Sequence, residues 1–170
     1  MQIVPAPFDH PDARKLNDLV LQEYALRYGD PEGDATPLDP SMFQPPRGLY
    51  VLAYDDEQRP VATGGWRSRD AARGPDEEDE NYADGDAELK RMFVLPEARG
   101  QGLARRILAL LEQDAREAGR TRMVLETGLK QPEAIALYTS EGYEPAPAKF
   151  GHYRFHEESR CFAKPLRRTV

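Results

Sequence analysis

Two spacings of apolar residues alternate along the chain and mark out its elements. From Pro11 to Tyr28, Leu16, Leu19, Val20, Tyr24 and Tyr28 fall three or four apart, the stripe of an amphipathic helix. His10 before Pro11 suits an N-cap with proline at the first helical position, and Gly29 suits a stop. Gly102–Ala118 carries the strongest helical pattern, with Leu103, Ile107, Leu110, Leu111 and Ala115 on one face and Gly119 at its end. A shorter helix is predicted over Pro132–Glu141, stopped by Gly142. Strands are predicted at Ile3–Val4, Leu49–Tyr54, Val61–Arg67, Glu88–Val94, Met123–Glu126, Phe150–Phe155 and Arg160–Ala163. The polar link Asp55–Arg59 is short enough to close a hairpin, whereas residues 30–48, with five prolines, read as a loop holding one turn near Met42–Phe43. Hairpins dominate the first half and helices follow strands in the second. The expected class is α/β (α+β), a mixed sheet with helices on its faces.

Composition narrows the function. A chain of 170 residues is expected to be one domain, residues 1–170, large enough to fold without a disulfide or metal. Its net charge of −7 argues against a role in wrapping nucleic-acid phosphate, although residues 149–170 are locally basic. Apolar runs are too short for a membrane span, and Met-Gln-Ile-Val-Pro at the start is not the basic-then-apolar pattern of a signal peptide. The single cysteine, Cys161, excludes an internal disulfide and a multi-cysteine zinc site. A cytoplasmic protein without metal, membrane or nucleic-acid partner is expected. Eight acids and one base between residues 70 and 86 read as a solvated loop between two strands.

The chemistry is concentrated in Met92-Phe93-Val94-Leu95-Pro96-Glu97-Ala98-Arg99-Gly100-Gln101-Gly102-Leu103-Ala104-Arg105-Arg106, where a strand runs through a two-glycine turn into the strongest helix. The first helical amides lack internal acceptors and sit at the positive end of the helix dipole, which suits a phosphate or pyrophosphate. Arg99 and Arg105 can add charge-assisted bonds. A P-loop would need Gly-Lys-Ser/Thr, which is absent, and a dinucleotide fingerprint would need glycine where Arg105 stands. The remaining pattern, Arg99-x-x-Gly102-x-Ala104, resembles the pyrophosphate signature of the GCN5-related N-acetyltransferases (GNAT family). Gln131-Pro132-Glu133-Ala134-Ile135-Ala136-Leu137-Tyr138-Thr139-Ser140-Glu141-Gly142-Tyr143 is similar to the family's late helix, one helix and one strand further on. Gly64-Gly65-Trp66-Arg67 ends a strand much as the family's third strand does. Two positions depart from the family pattern: Gln131 replaces an asparagine that contacts the pantetheine arm, and Tyr143 replaces a phenylalanine.

The resemblance implies a mostly antiparallel sheet of six to seven strands, splayed between the fourth and fifth, with about four helices around it. It also implies acetyl-CoA as co-substrate. The pantetheine arm would lie in the splay along the backbone of Met92, Phe93 and Val94. The pyrophosphate would sit on Arg99, Gly100, Gln101, Gly102, Leu103, Ala104 and Arg105, with Gln131 and Ala134 along the arm. Tyr138 matches the family's general acid for the leaving thiolate, and Glu88 matches the glutamate base of its histone-type members. Residue alternation would put Glu88, Lys90 and Met92 on one face, so Glu88 would either serve as the base or pair with Lys90. Backbone N–H near Val94 would face the developing oxyanion.

Other candidates are weaker. His10 reads as a cap, Cys161 as a buried thiol, and His152 and His156 as surface imidazoles or acceptor-pocket walls. Glu126 and Thr127 end the fifth strand and are candidates for contact with the acceptor. The expected activity is acetyl transfer to a primary amine of a small molecule or peptide, by direct attack in a ternary complex. A CoA-binding sensor without turnover is the alternative, and a homodimer is compatible with either.

Overall fold

The computed structural model describes residues 1–30 and 32–167. Its elements are β1 (Gln2–Pro5), α1 (Pro11–Tyr28), a 3-10 turn (Pro40–Phe43), β2 (Gly48–Tyr54), β3 (Pro60–Arg69), β4 (Asp86–Val94), a 3-10 turn (Pro96–Ala98), α2 (Leu103–Glu117), β5 (Arg122–Gly128), α3 (Pro132–Ser140), β6 (Glu144–Pro145) and β7 (Ser159–Pro165). They form one seven-stranded sheet in the order β1-β2-β3-β4-β5-β7-β6. Every neighbouring pair is antiparallel except β4–β5, which is parallel. About four helices were expected. Among the described residues there are three α-helices and two 3-10 turns, because the proline-rich stretch before β2 supports only Pro40–Phe43.

Local signals explain the helix ends. His10 Nδ1 accepts the Asp12 N–H at 3.0 Å and Pro11 opens α1, while Gly29 closes it in the left-handed region at φ 69°. Asp55 Oδ1 accepts the N–H groups of Glu57 and Arg59, each at 2.9 Å, and so shapes the β2–β3 hairpin.

Each face of the sheet has its own core. Ala13, Leu16 and Val20 of α1 pack with Phe43, Tyr50, Leu52 and Phe93 on one face. Ile107, Leu108 and Leu111 of α2 pack with Trp66, Leu89, Met123, Leu125, Tyr138 and Phe162 on the other. Fully burying a large aliphatic side chain contributes ~1.5–3 kcal/mol, so α2 is held by its apolar face far more than by helix propensity.

One strand expectation is corrected. The segment 150–156 is a run of turns rather than a strand: Gly151 adopts φ +86°, and the Tyr153 N–H is spent on the Glu126 side chain of β5 instead of a strand partner. The strand near that point is the two-residue β6. The acidic stretch is, as expected, a largely exposed loop between β3 and β4, and arginines from other elements bind it. Arg69 pairs with Glu80 at 3.1 Å, Arg120 with Asp70 at 3.0 Å and Arg154 with Glu78 at 2.9 Å.

Candidate active site at the splayed strands

The β4–β5 ladder has three register pairs, Asp86 with Arg122, Ala87 with Met123 and Glu88 with Val124. Beyond Glu88 the strands diverge, as the resemblance implied, and a cavity of about 290 Å³ passes between them. Leu89, Met92, Leu125, Ala134 and Tyr138 line it from the α2 side. Tyr24, Asp34, Lys90, Arg91, Glu126 and Tyr153 line it from the α1 side.

A bulge in β4 sets the facing of these groups. Gly65 pairs with Lys90 and Thr63 with Phe93, so Arg91 and Met92 together oppose Gly64. Arg91 takes φ +59°, uncommon for a residue with a Cβ. Lys90 and Arg91 therefore point to the same side, and each reaches Asp34 Oδ2 at 3.4 Å. Met92 does not share the face of Glu88 and Lys90, as simple alternation required; it packs with the α2 core, while Phe93 is buried against α1.

Below the cavity, Leu95 leads through the Pro96–Ala98 turn into α2. Gly100 and Gly102 take φ +80° and +76°, and a Cβ on either would meet nothing within 4 Å. The turn is open above the first amides of α2, whose first internal bond is Arg106 N–H to the Gly102 carbonyl at 3.1 Å. These observations fit a pyrophosphate, which needs close backbone approach and unpaired amides. The arginines are less free than expected. Arg99 Nε donates to the Val94 carbonyl at 3.0 Å, and Arg105 is bound by Ser140 and Glu141 at the end of α3. Gln131 lines the cavity and donates from Nε2 to the Tyr28 hydroxyl at 3.1 Å.

Tyr138, in the last turn of α3, faces the cavity with its ring edge-on to Tyr143 at 5.5 Å between centroids. Burial and the nearby Tyr24 raise its phenol above the usual value, so it holds its proton at neutral pH.

Glu88 stands elsewhere. It is fully buried and is not part of the cavity wall; Arg67 Nε donates to its Oε1 and the Tyr82 hydroxyl to its Oε2, both at 2.7 Å. Its pairing with Lys90 does not form either, since Lys90 goes to Asp34. Burial alone would raise the Glu88 carboxyl, but Lys90, Arg67 and the Tyr82 hydrogen bond outweigh it and hold the group below its ordinary value. A carboxylate with both oxygens engaged and a lowered proton affinity is poorly suited to act as a base. Glu88→Gln is expected to leave the Arg67 charge buried without its counterion and to lower unfolding free energy by ~3–5 kcal/mol in urea titrations. Because the folded-state value is depressed, this contribution is complete at neutral pH and is lost between about pH 5 and the lowered value. The wild-type urea midpoint should fall more steeply with acidification than that of Glu88→Gln.

The cavity carboxylate that sequence reasoning undervalued is Glu126. Its signal was an acid directly following the buried run Met123–Leu125. Thr127 and His156 also line the cavity, whereas His152 does not. Cys161 is buried, as expected.

Comparison with known proteins agrees with this arrangement. The model of the Acetyltransferase (GNAT) family matches residues 13–143. An IAA acetyltransferase of Azospirillum brasilense is 44% identical over 82 residues, which is 48% of this chain and 53% of that protein. The chain thus spans about half or less of the length of the curated relatives it matches first. A proposed acyl-CoA N-acyltransferase from Klebsiella pneumoniae superposes with a TM-score of 0.72 at 26% identity, covering 98% of this chain and 97% of that one. The fold of an aminoglycoside 6'-N-acetyltransferase solved with coenzyme A matches with a TM-score of 0.66 at 16% identity, over 100% of this chain and 99% of the other. A match through both glycines of the α2 turn and through Tyr138, on a sheet that opens where β4 leaves β5, means that the chain belongs to the GNAT family of acetyltransferases.

Proposed function

We propose that the protein transfers an acetyl group from acetyl-CoA to a primary amine of a small molecule or peptide, by direct attack in a ternary complex. The observation that carries this reading is one cavity between the splayed strands that Tyr138 lines, on a chain whose turn into α2 leaves Gly100 and Gly102 open. Bound acetyl-CoA would supply an activated thioester. Gly100, Gln101, Gly102, Leu103, Ala104 and Arg105 would hold its pyrophosphate through backbone amides. The β4 edge at Met92–Val94 would hydrogen-bond the pantetheine arm, with Gln131 and Ala134 along its other side. Leu89, Met92 and Leu125 give the cavity an apolar wall on the α2 side. Tyr138 would give its proton to the departing sulfur. The acetyltransferase named for Azospirillum brasilense and the coenzyme A complex named above support both the reaction class and the donor.

The test is release of coenzyme A thiol from acetyl-CoA in the presence of a panel of amines, amino acids and short peptides. Turnover above background hydrolysis with at least one amine is expected. Tight coenzyme A binding with no amine-dependent turnover would instead identify a sensor built on the same fold.

A further inference from the structure

We propose that Glu126 is the general base that takes the proton from the acceptor amine, an assignment that rests on the acetyltransferase reading above. Four carboxylates line the cavity: Asp30, Asp34, Glu126 and Glu158. Asp34 is shared between Lys90 and Arg91, and burial is outweighed there by those two cations, so its carboxyl lies far below the ordinary range. Glu158 is half exposed and lies 3.7 Å from Lys130. Asp30 shapes the chain after α1 by accepting the Glu32 N–H at 2.9 Å. Glu126 and Asp30 both stand half-buried in the wall with no cation within ion-pair distance among the described residues, and of the two only Glu126 stands on a strand of the splay, β5.

Its carboxylate is nevertheless held in place. The Tyr153 N–H donates to Oε2 at 3.0 Å, and the carboxylate packs so closely on Gly151 that any side chain there would overlap it. The turns of 150–156 that replace the expected strand thus cradle this group.

Its position also suits the task. Glu126 lies two residues beyond Val124, hence on the α1 side of β5, whereas Tyr138 belongs to the α2 side. The two groups face the cavity from opposite sides of the splay. An amine entering from the α1 side meets Glu126 first, and a thiol leaving on the other side meets Tyr138. The groups around Glu126 are Glu88 and Lys90 of β4, Asp34 after α1, Tyr82 of the acidic segment, Tyr153 of the turns and Cys161 of β7. Burial, with Glu88 and Asp34, pushes its carboxyl up to about 7 against the opposing pull of Lys90 and the Tyr153 N–H. A base matched to neutral pH is the most efficient kind.

The protons balance as follows. An ammonium gives one proton to Glu126, which passes it to water. The freed nitrogen lone pair forms the C–N bond to the thioester carbonyl carbon as the C–S bond breaks. The sulfur departs with the Tyr138 proton, and the second proton lost by the nitrogen restores Tyr138.

The experiment is the pH dependence of kcat/KM for wild type, Glu126→Gln and Glu126→Asp with an amine that the wild type acetylates. Coenzyme A affinity by calorimetry confirms an intact site. Wild type should show an acidic limb near pH 7. Glu126→Gln should lose ~10²–10⁴-fold at pH 7, with a residual rate that keeps rising as more amine is neutral, and Glu126→Asp should retain the limb at a reduced rate. A Glu126→Gln profile that superimposes on the wild type overturns the assignment. A wild type that binds coenzyme A and acetylates no amine overturns the acetyltransferase reading instead.

Discussion

Tyr138→Phe is expected to lower kcat by ~10²–10⁴-fold while acetyl-CoA affinity stays within a factor of about two, because general acids contribute on that scale only in the transition state. The substitution keeps the ring, its edge-on contact with Tyr143 and its place in the α2-side core. What it removes is one O–H, on a phenol whose burial keeps it protonated across the working range. A thiolate leaving without that proton must depart as an anion into a wall of Leu89, Met92 and Leu125, where charge is poorly solvated. Stopped-flow or steady-state thiol release, paired with calorimetry, separates the two quantities. An unchanged kcat would make Tyr138 a packing residue.

Gly102→Asp should abolish acetyl-CoA binding at ordinary concentrations and leave the fold intact. Gly102 takes φ +76°, a region in which aspartate is among the better tolerated residues after glycine, and its Cβ would meet nothing within 4 Å. The left-handed φ strains any side chain at this position, at roughly 1–2 kcal/mol, which a domain of ordinary stability survives with α2 formed. The cost falls on the ligand, since a carboxylate would sit where the pyrophosphate must approach. Like-charge juxtaposition costs several kcal/mol, which is ~10²-fold or more in Kd. Calorimetry measures the affinity, and a cooperative thermal melt certifies the fold. Undiminished affinity in a folded variant would show that the α2 turn does not hold the pyrophosphate.

The elements bounded by local punctuation were legible. Pro11 and Gly29 around α1, Gly102 and Gly119 around α2, and the Asp55–Arg59 hairpin are each decided by a few adjacent residues, and each stands within one or two positions of its expected place. The splay and the two-glycine turn into α2 were legible because those glycines and the Tyr138 helix carry a spaced pattern. What was not legible depends on partners distant in sequence. The surroundings of Glu88 are set by Arg67 and by Tyr82, which the acidic segment delivers to it. That segment is itself fastened by Arg69, Arg120 and Arg154, from three separate parts of the chain. The Arg91 bulge reverses the facing of Met92 by inserting one residue opposite Gly64, and no composition rule for strands marks that spot. Glu126 was read only as a candidate contact for the acceptor for a related reason: only the completed fold shows which acids found cations and which were left without one.

The short β4–β5 ladder makes the sheet behave as two leaves, β1–β4 and β5–β7, joined along one edge. That edge is riveted. Arg122 grips both oxygens of Asp86 at 2.8 Å each, Arg120 reaches the Arg69 and Asp86 carbonyls and the Asp70 side chain, and the Thr121 N–H bonds the Gly85 carbonyl at 2.9 Å. A wedge driven between the leaves at the open end therefore bends them about a fixed spine instead of unzipping the remaining ladder. The Arg91 bulge lies on the open side of this spine, so β4 departs from regular strand geometry only past the point where it has left β5.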